Sequence, residues 1–84
     1  MELANQEIPV NPISEPDAKD LANRFSYHAP KNQQPAKYVT IRENAKGLAE
    51  LLLTYAPPSR ERSLAITKLE EVVFWANAAI ARNE

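Results

Sequence analysis

From residue 35 onward, apolar and polar positions alternate with a helical period. Tyr38, Ile41, Ala45, Leu48, Leu52 and Tyr55 fall at steps of 3-4-3-4-3, the spacing that gives a helix one apolar side to pack against another helix. Pro35 suits the first turn of this helix, and Pro57 cannot continue it and disfavours helical backbone in the residue before, so a helix is predicted over about 35–55. At ~1.5 Å per residue it would be about 31 Å long. A further helix is predicted over about 59–83, with Ser59 as its N-cap and Glu61 in the first turn. The short Pro57-Pro58 connection makes these two helices antiparallel neighbours. Upstream, Ser14 can cap a short helix over about 15–25, where Pro16 fits the first turn and Asp17 and Asp20 lie toward the positive end of the helix dipole. Residues 1–13 have no periodic apolar pattern and contain Pro9 and Pro12, which predicts a flexible N-terminal arm ahead of one helical hairpin domain, residues 14–84. No segment reads as a strand. The fold class expected is all-α: a short N-terminal helix, then an antiparallel two-helix hairpin.

The last helix carries more apolar surface than one neighbour can cover. Ala65, Leu69, Val72, Ala76 and Ala79 share one face, Ile66, Val73 and Ile80 another, and Phe74 and Trp75 point elsewhere again. A helix apolar on most sides is a buried helix, and a chain of 84 residues has little else with which to bury it. A compact homo-oligomer is therefore expected, and Ala76, Ala78, Ala79 and Ala81 would let its helices approach closely. The alternative is that the N-terminal helix folds Leu21 and Phe25 back over the remaining face.

Composition narrows the functions available. Ten Lys and Arg against eleven Asp and Glu give a net charge of −1, which argues against a protein that coats a nucleic-acid polymer. With no cysteine and one histidine, His28, the chain cannot assemble a thiolate zinc site, an iron–sulfur cluster or a disulfide framework. Its single glycine, Gly47, excludes the glycine-rich phosphate loops. The acidic, polar N-terminus does not read as a signal peptide, and the densest apolar stretch, Val72 to Ala81, is far shorter than the ~20 residues of a membrane span. A cytosolic chain without membrane contact or cofactor is expected.

No catalytic motif surrounds His28. Glu70 and Glu71 are adjacent on a helix and so diverge by about 100°, which suits a solvated face better than a paired acid and base. Arg42 and Lys46 lie one turn apart, an arrangement that repels unless an anion or the nearby carboxylates of Glu43 and Glu50 sit between them. Arg60, Ser63 and Thr67 stand near free backbone N–H groups at the start of the last helix, which is either anion-binding chemistry or a plain capped helix whose arginines pair with neighbouring glutamates. Phe25, Tyr27 and His28 cluster in a loop, where a flat side chain either stacks on a nucleobase or plugs the end of a core.

Three stretches carry a family likeness: Arg24-Phe25-Ser26-Tyr27-His28-Ala29-Pro30, Lys37-Tyr38 with Ile41-Arg42, and SRERSLAITKLEEVVFWANAAIARN from Ser59 to Asn83. Together they resemble the helical-hairpin domain of phage anti-defence sponges. These are small phage proteins that sequester the cyclic nucleotide messengers of cyclic-oligonucleotide-based antiphage signalling (CBASS), with a related branch that captures cyclic ADP-ribose isomers of the Thoeris system. The resemblance covers about residues 24–83, and the last helix is its most specific part. It implies an all-helical homohexamer with pockets between protomers that hold a messenger intact, in the cytoplasm of an infected bacterial host. The partners it implies are a cyclic di- or trinucleotide, such as cyclic GMP–AMP, and further copies of the chain. By this resemblance Tyr27, beside His28, matches the tyrosine of the dinucleotide pocket, with Arg42 or Lys46 as its basic residue. Arg60, Thr67 and Arg82 are candidates for a second, trinucleotide site. The Pro-containing arm departs from the short family members. A rival from another class is a small helical oligomer that binds a protein, in the manner of an antirepressor.

Overall fold

A computed structural model describes residues 7–84; the expectation of an arm over residues 1–6 lies outside the described residues. Residues 7–14 have no regular structure and are exposed. Three helices follow, α1 (Glu15–Arg24), α2 (Gln34–Tyr55) and α3 (Arg60–Asn83), with no strand among the described residues.

Each boundary has a local cause. The Ser14 hydroxyl accepts from the Asp17 N–H at 3.1 Å, and Pro16 occupies the first turn of α1, where a missing N–H costs nothing. α1 stops at Phe25, whose N–H still reaches the Leu21 carbonyl at 2.9 Å. The connection to α2 includes Asn32 with φ 53°, a left-handed conformation that asparagine tolerates better than most residues. α2 has no serine or threonine cap. Instead the Gln34 side chain reaches back, its Oε1 accepting from the Lys31 N–H at 3.1 Å. Ala56, extended before Pro57, closes the helix. At the start of α3 the Ser59 hydroxyl accepts from the Arg62 N–H at 3.1 Å.

α2 and α3 run side by side in opposite directions, and polar contacts fix both ends. At one end Gln34 Nε2 donates to the Ile80 carbonyl at 3.3 Å and to Glu84 Oε1 at 3.4 Å, and Lys37 Nζ pairs with Glu84 Oε2. At the other, Arg62 Nη1 donates to the carbonyls of Leu53 at 3.2 Å and Ala56 at 3.1 Å. These are C-terminal carbonyls of α2 that no N–H of the helix can satisfy. Arg62 thus serves the neighbouring helix end, where pairing with a glutamate was one expectation.

Between these ends, the residues of α2 and its C-cap withdrawn from water are Tyr38, Ile41, Ala45, Ala49, Leu52 and the capping Ala56. Leu48 and Tyr55, expected on the seam, are 47% and 82% exposed. The reason is geometric: 38 to 56 is eighteen residues in five steps, the 3.6-residue period of a straight helix, whereas the expected seam followed the shorter heptad spacing. Ile66, Leu69, Val73, Ala76, Asn77 and Ile80 are the half-buried residues of α3 that answer them.

This contact is thin. No apolar side chain among the described residues is fully buried, and the one buried residue is the polar Gln34. α1 does not cover the remaining face, since Leu21 and Phe25 are themselves exposed, and Val72, Phe74 and Trp75 stay open to water. The chain exposes 7284 Å², against about 5,000 Å² for a compact protein of its mass.

The hydrogen bond and charge of Lys37, with Gln34 beside it, hold the Glu84 carboxyl below its usual pKa. A lowered folded-state pKa stabilises above the unfolded value and is lost as pH falls through the folded one. Glu84→Gln is therefore expected to melt below the parent at neutral pH, with the two curves converging as pH drops below about 4. A difference that persists undiminished into acid would show that the carboxylate charge is not what joins the helix ends.

Candidate functional site

The loop after α1 returns its side chains toward the last turns of α3. His28 makes the turn specific: its Nε2 lies 2.7 Å from the Asn23 carbonyl, and because a carbonyl only accepts, Nε2 carries a proton there. The loop is thereby tied to the end of α1, leaving the Nδ1 of His28 as its remaining hydrogen-bonding atom.

Where this loop meets α2 and α3 there is a cavity of about 380 Å³. Arg24, Ser26, Tyr27 and His28 form the loop side, Tyr38 the α2 side, and Asn77, Ala78, Ala81 and Arg82 the α3 side. None of these residues is acidic. Arg24 pairs with Asp20 at 2.9 Å, one turn back on α1, but both side chains are more than half exposed, and such a pair holds only weakly. Arg82 is half-buried and belongs to no ion pair among the described residues. Its place in the last turn of α3 gives it the favourable negative end of that helix dipole. Tyr27 is 86% exposed, so its ring forms the rim of the cavity and does not plug a core.

A second cleft, of about 510 Å³, lies on the other side of the same two arginines. Phe25 and Trp75 line it, with Asp20, Asn23, Arg24, Arg82 and Asn83. Arg24 and Arg82 therefore stand between two aromatic groups, Tyr27 with Tyr38 on one side and Phe25 with Trp75 on the other. Such an arrangement can match an anion with guanidinium groups and a flat ring with an aromatic face. No group of His, Asp or Glu able to hold a metal ion occurs among the described residues, and no helix is long and apolar enough to cross a membrane.

Of the residues singled out from the sequence, the fold brings Tyr27, His28 and Arg82 to one cavity. Arg42, Lys46, Arg60 and Thr67 do not line it in a single chain. Arg42 lies one turn beyond Tyr38 on α2. Lys46 lines a separate gap of about 160 Å³ between α2 and α3, shared with Glu70. Arg60 and Thr67 sit at the opposite end of α3. Sequence reasoning passed over Arg24 and Asn77 as site residues and took Tyr38 for seam alone. For Asn77 a signal existed, a polar residue inside the most apolar stretch of the chain.

The family model described as Acb2/Tad1, hairpin domain, matches residues 17–81, which takes in most of α1, the loop, α2 and nearly all of α3. No curated protein and no solved structure matches the chain.

The geometry of the loop generates a prediction of its own. His28→Ala removes one side-chain hydrogen bond, so a stability loss of about 1 kcal/mol is expected, with faster amide hydrogen exchange confined to residues near 25–29. Unchanged exchange in that loop would mean that His28 does not hold it.

Proposed function

The chain belongs to the Acb2/Tad1 hairpin-domain family of anti-CBASS and anti-Thoeris cyclic-nucleotide sponges, and on that premise we propose that it binds cyclic oligonucleotide messengers and holds them without degrading them. The observation that supports this most is that Arg82, half-buried and in no ion pair among the described residues, lines one cavity with Tyr27, His28 and Tyr38. Guanidinium groups match phosphate oxygens through paired N–H donors, and aromatic rings accept the faces of bases. No group of His, Asp or Glu able to hold a metal ion occurs among the described residues, and binding alone suffices to draw a messenger from its receptor.

In this reading the antiparallel pair α2 and α3 is the hairpin of the family, set in a homo-oligomer of six chains. Further copies cover Val72, Phe74, Trp75 and the outer face of α2. They also bring a second set of site residues to each ligand: a two-fold symmetric cyclic dinucleotide presents each phosphate and each base twice, and a two-fold interface supplies each side chain twice. Arg42 or Lys46 enters the pocket from the neighbouring copy as a second cation. Arg60 and Thr67, brought by other copies to the side of Arg82 that faces away from Tyr27, form a trinucleotide site that shares this arginine. The protein acts in the cytoplasm of an infected bacterium, where binding must outcompete a receptor, and nanomolar affinity, about −12 kcal/mol, is the scale required.

Calorimetric titration with cyclic GMP–AMP tests the proposal, with chromatography of the ligand recovered after heat denaturation. Nanomolar binding and intact ligand are expected. Tyr27→Ala is expected to lose ~1–3 kcal/mol for each ring removed from a base, and Arg82→Ala a comparable amount, doubled where the symmetric ligand meets each residue twice. Arg42→Ala and Lys46→Ala, made separately, identify the second cation as whichever weakens binding. Linear dinucleotide among the products, or binding at parental strength in both Tyr27→Ala and Arg82→Ala, would contradict the proposal. So would a stabilising shift produced by a protein partner and by no cyclic nucleotide.

A further inference from the structure

The most apolar stretch of the chain contains one amide. Asn77 lies between Ala76 and Ala78 on α3 and lines the cavity opposite the loop. Its Oδ1 is buried and has no hydrogen-bond partner among the described residues. On α2 and α3 the other amides are exposed or use their side chains in hydrogen bonds. Asn44 and Asn83 donate to the carbonyls of Thr40 and Ala79, one turn back in their own helices, and Gln34 uses both ends of its amide to join α2 to α3. A carbonyl withdrawn from water with no donor opposes folding, and alanine, present on both sides of it, would fill the same helix position without that penalty.

The chemistry of the orphaned atom restricts what could complete it. Oδ1 is an acceptor only, so it repels a phosphate oxygen and calls for an N–H or O–H. The cations of the cavity, Arg24 and Arg82, attend to phosphate, and Tyr38 supplies an aromatic face beside Asn77. Ala78 and Ala81 leave room between them for a flat group. For the edge of a base entering on this side to reach the buried Oδ1, the Asn77 side chain must turn toward the cavity. An exocyclic amine projects past the ring and presents N–H to the floor of the cavity. Uracil carries carbonyl oxygens at its exocyclic positions, and its one edge donor, the ring N3–H, is set back between them, so an acceptor that meets the projecting group of the base meets an oxygen.

Resting on the reading of this cavity as a cyclic-nucleotide pocket, we propose that Asn77 is a specificity-determining residue whose Oδ1 accepts from the exocyclic amino group of a base, so that the pocket favours amino-bearing bases over uracil. Calorimetry of the full chain against cyclic di-AMP and cyclic di-UMP tests this in the parent, Asn77→Leu and Asn77→Ala. Leucine approximates the shape of the amide, and alanine keeps the cavity open should leucine obstruct it. The parent is expected to prefer cyclic di-AMP by about tenfold or more. Both variants should bring the ratio close to one by weakening the adenine ligand, and without ligand Asn77→Leu should melt no lower than the parent. A parent with no preference for the adenine ligand, or variants that retain the parental ratio, would overturn the inference while leaving the pocket itself intact. A variant assembly of altered size would overturn it too, by assigning Asn77 to a contact between copies. A parent that binds neither ligand would instead remove the pocket on which the inference rests.

Discussion

Two helices laid side by side can each hide only one stripe, and in this chain the apolar residues occupy more than one. That constraint governs the rest of the molecule. α2 and α3 meet through Tyr38, Ile41, Ala45, Ala49, Leu52 and Ala56 on one side and Ile66, Leu69, Val73 and Ile80 on the other, yet none of these is fully buried. Leu48, Leu51 and Leu53 of α2 and Val72, Phe74 and Trp75 of α3 stay exposed, an apolar surface beyond what the pair can cover by itself. The proposed assembly follows from this surplus: further copies supply the core that one chain lacks, and the same contacts complete the pockets.

Directional bonds at the helix ends compensate in part for the thin seam. Gln34 and Lys37 hold the start of α2 to Ile80 and Glu84, and Arg62 holds its end. These contacts set the register of the two helices, and register decides that Asn77, Ala78, Ala81 and Arg82 face the loop carrying Tyr27 and His28. The site is thus a consequence of helix alignment more than of any local motif.

What was legible in the residues reflects the range over which each signal acts. Helix ends are local: Ser14 and Ser59 cap as serines do, and Pro57 stops α2. The seam was legible in part. Tyr38, Ile41, Ala45 and Leu52 lie on it, but Leu48 and Tyr55 drew the pattern toward heptad spacing because large side chains signal burial more strongly than Ala49 and Ala56, which took their places. Tyr27 and His28 stood out as a cluster of rings in a loop, whereas family likeness had assigned Arg82 to a second site with Arg60 and Thr67, neither of which shares its cavity in a single chain. That Arg24 and Asn77 share the cavity of Tyr27 and His28 depends on a meeting of residues more than fifty positions apart, which no periodicity encodes.

A pocket built at such a meeting point is rigid only if the helices that carry it are, and the thin contact between α2 and α3 cannot supply that rigidity alone. Affinity in the nanomolar range requires a preformed site, so assembly and binding stand or fall together. Sedimentation equilibrium of the full chain without ligand, at micromolar concentration, tests this link most directly. A single species of six times 9.4 kDa is expected. A monomer of 9.4 kDa that melts cooperatively would contradict it, because such a chain would be stable with its apolar faces open to water.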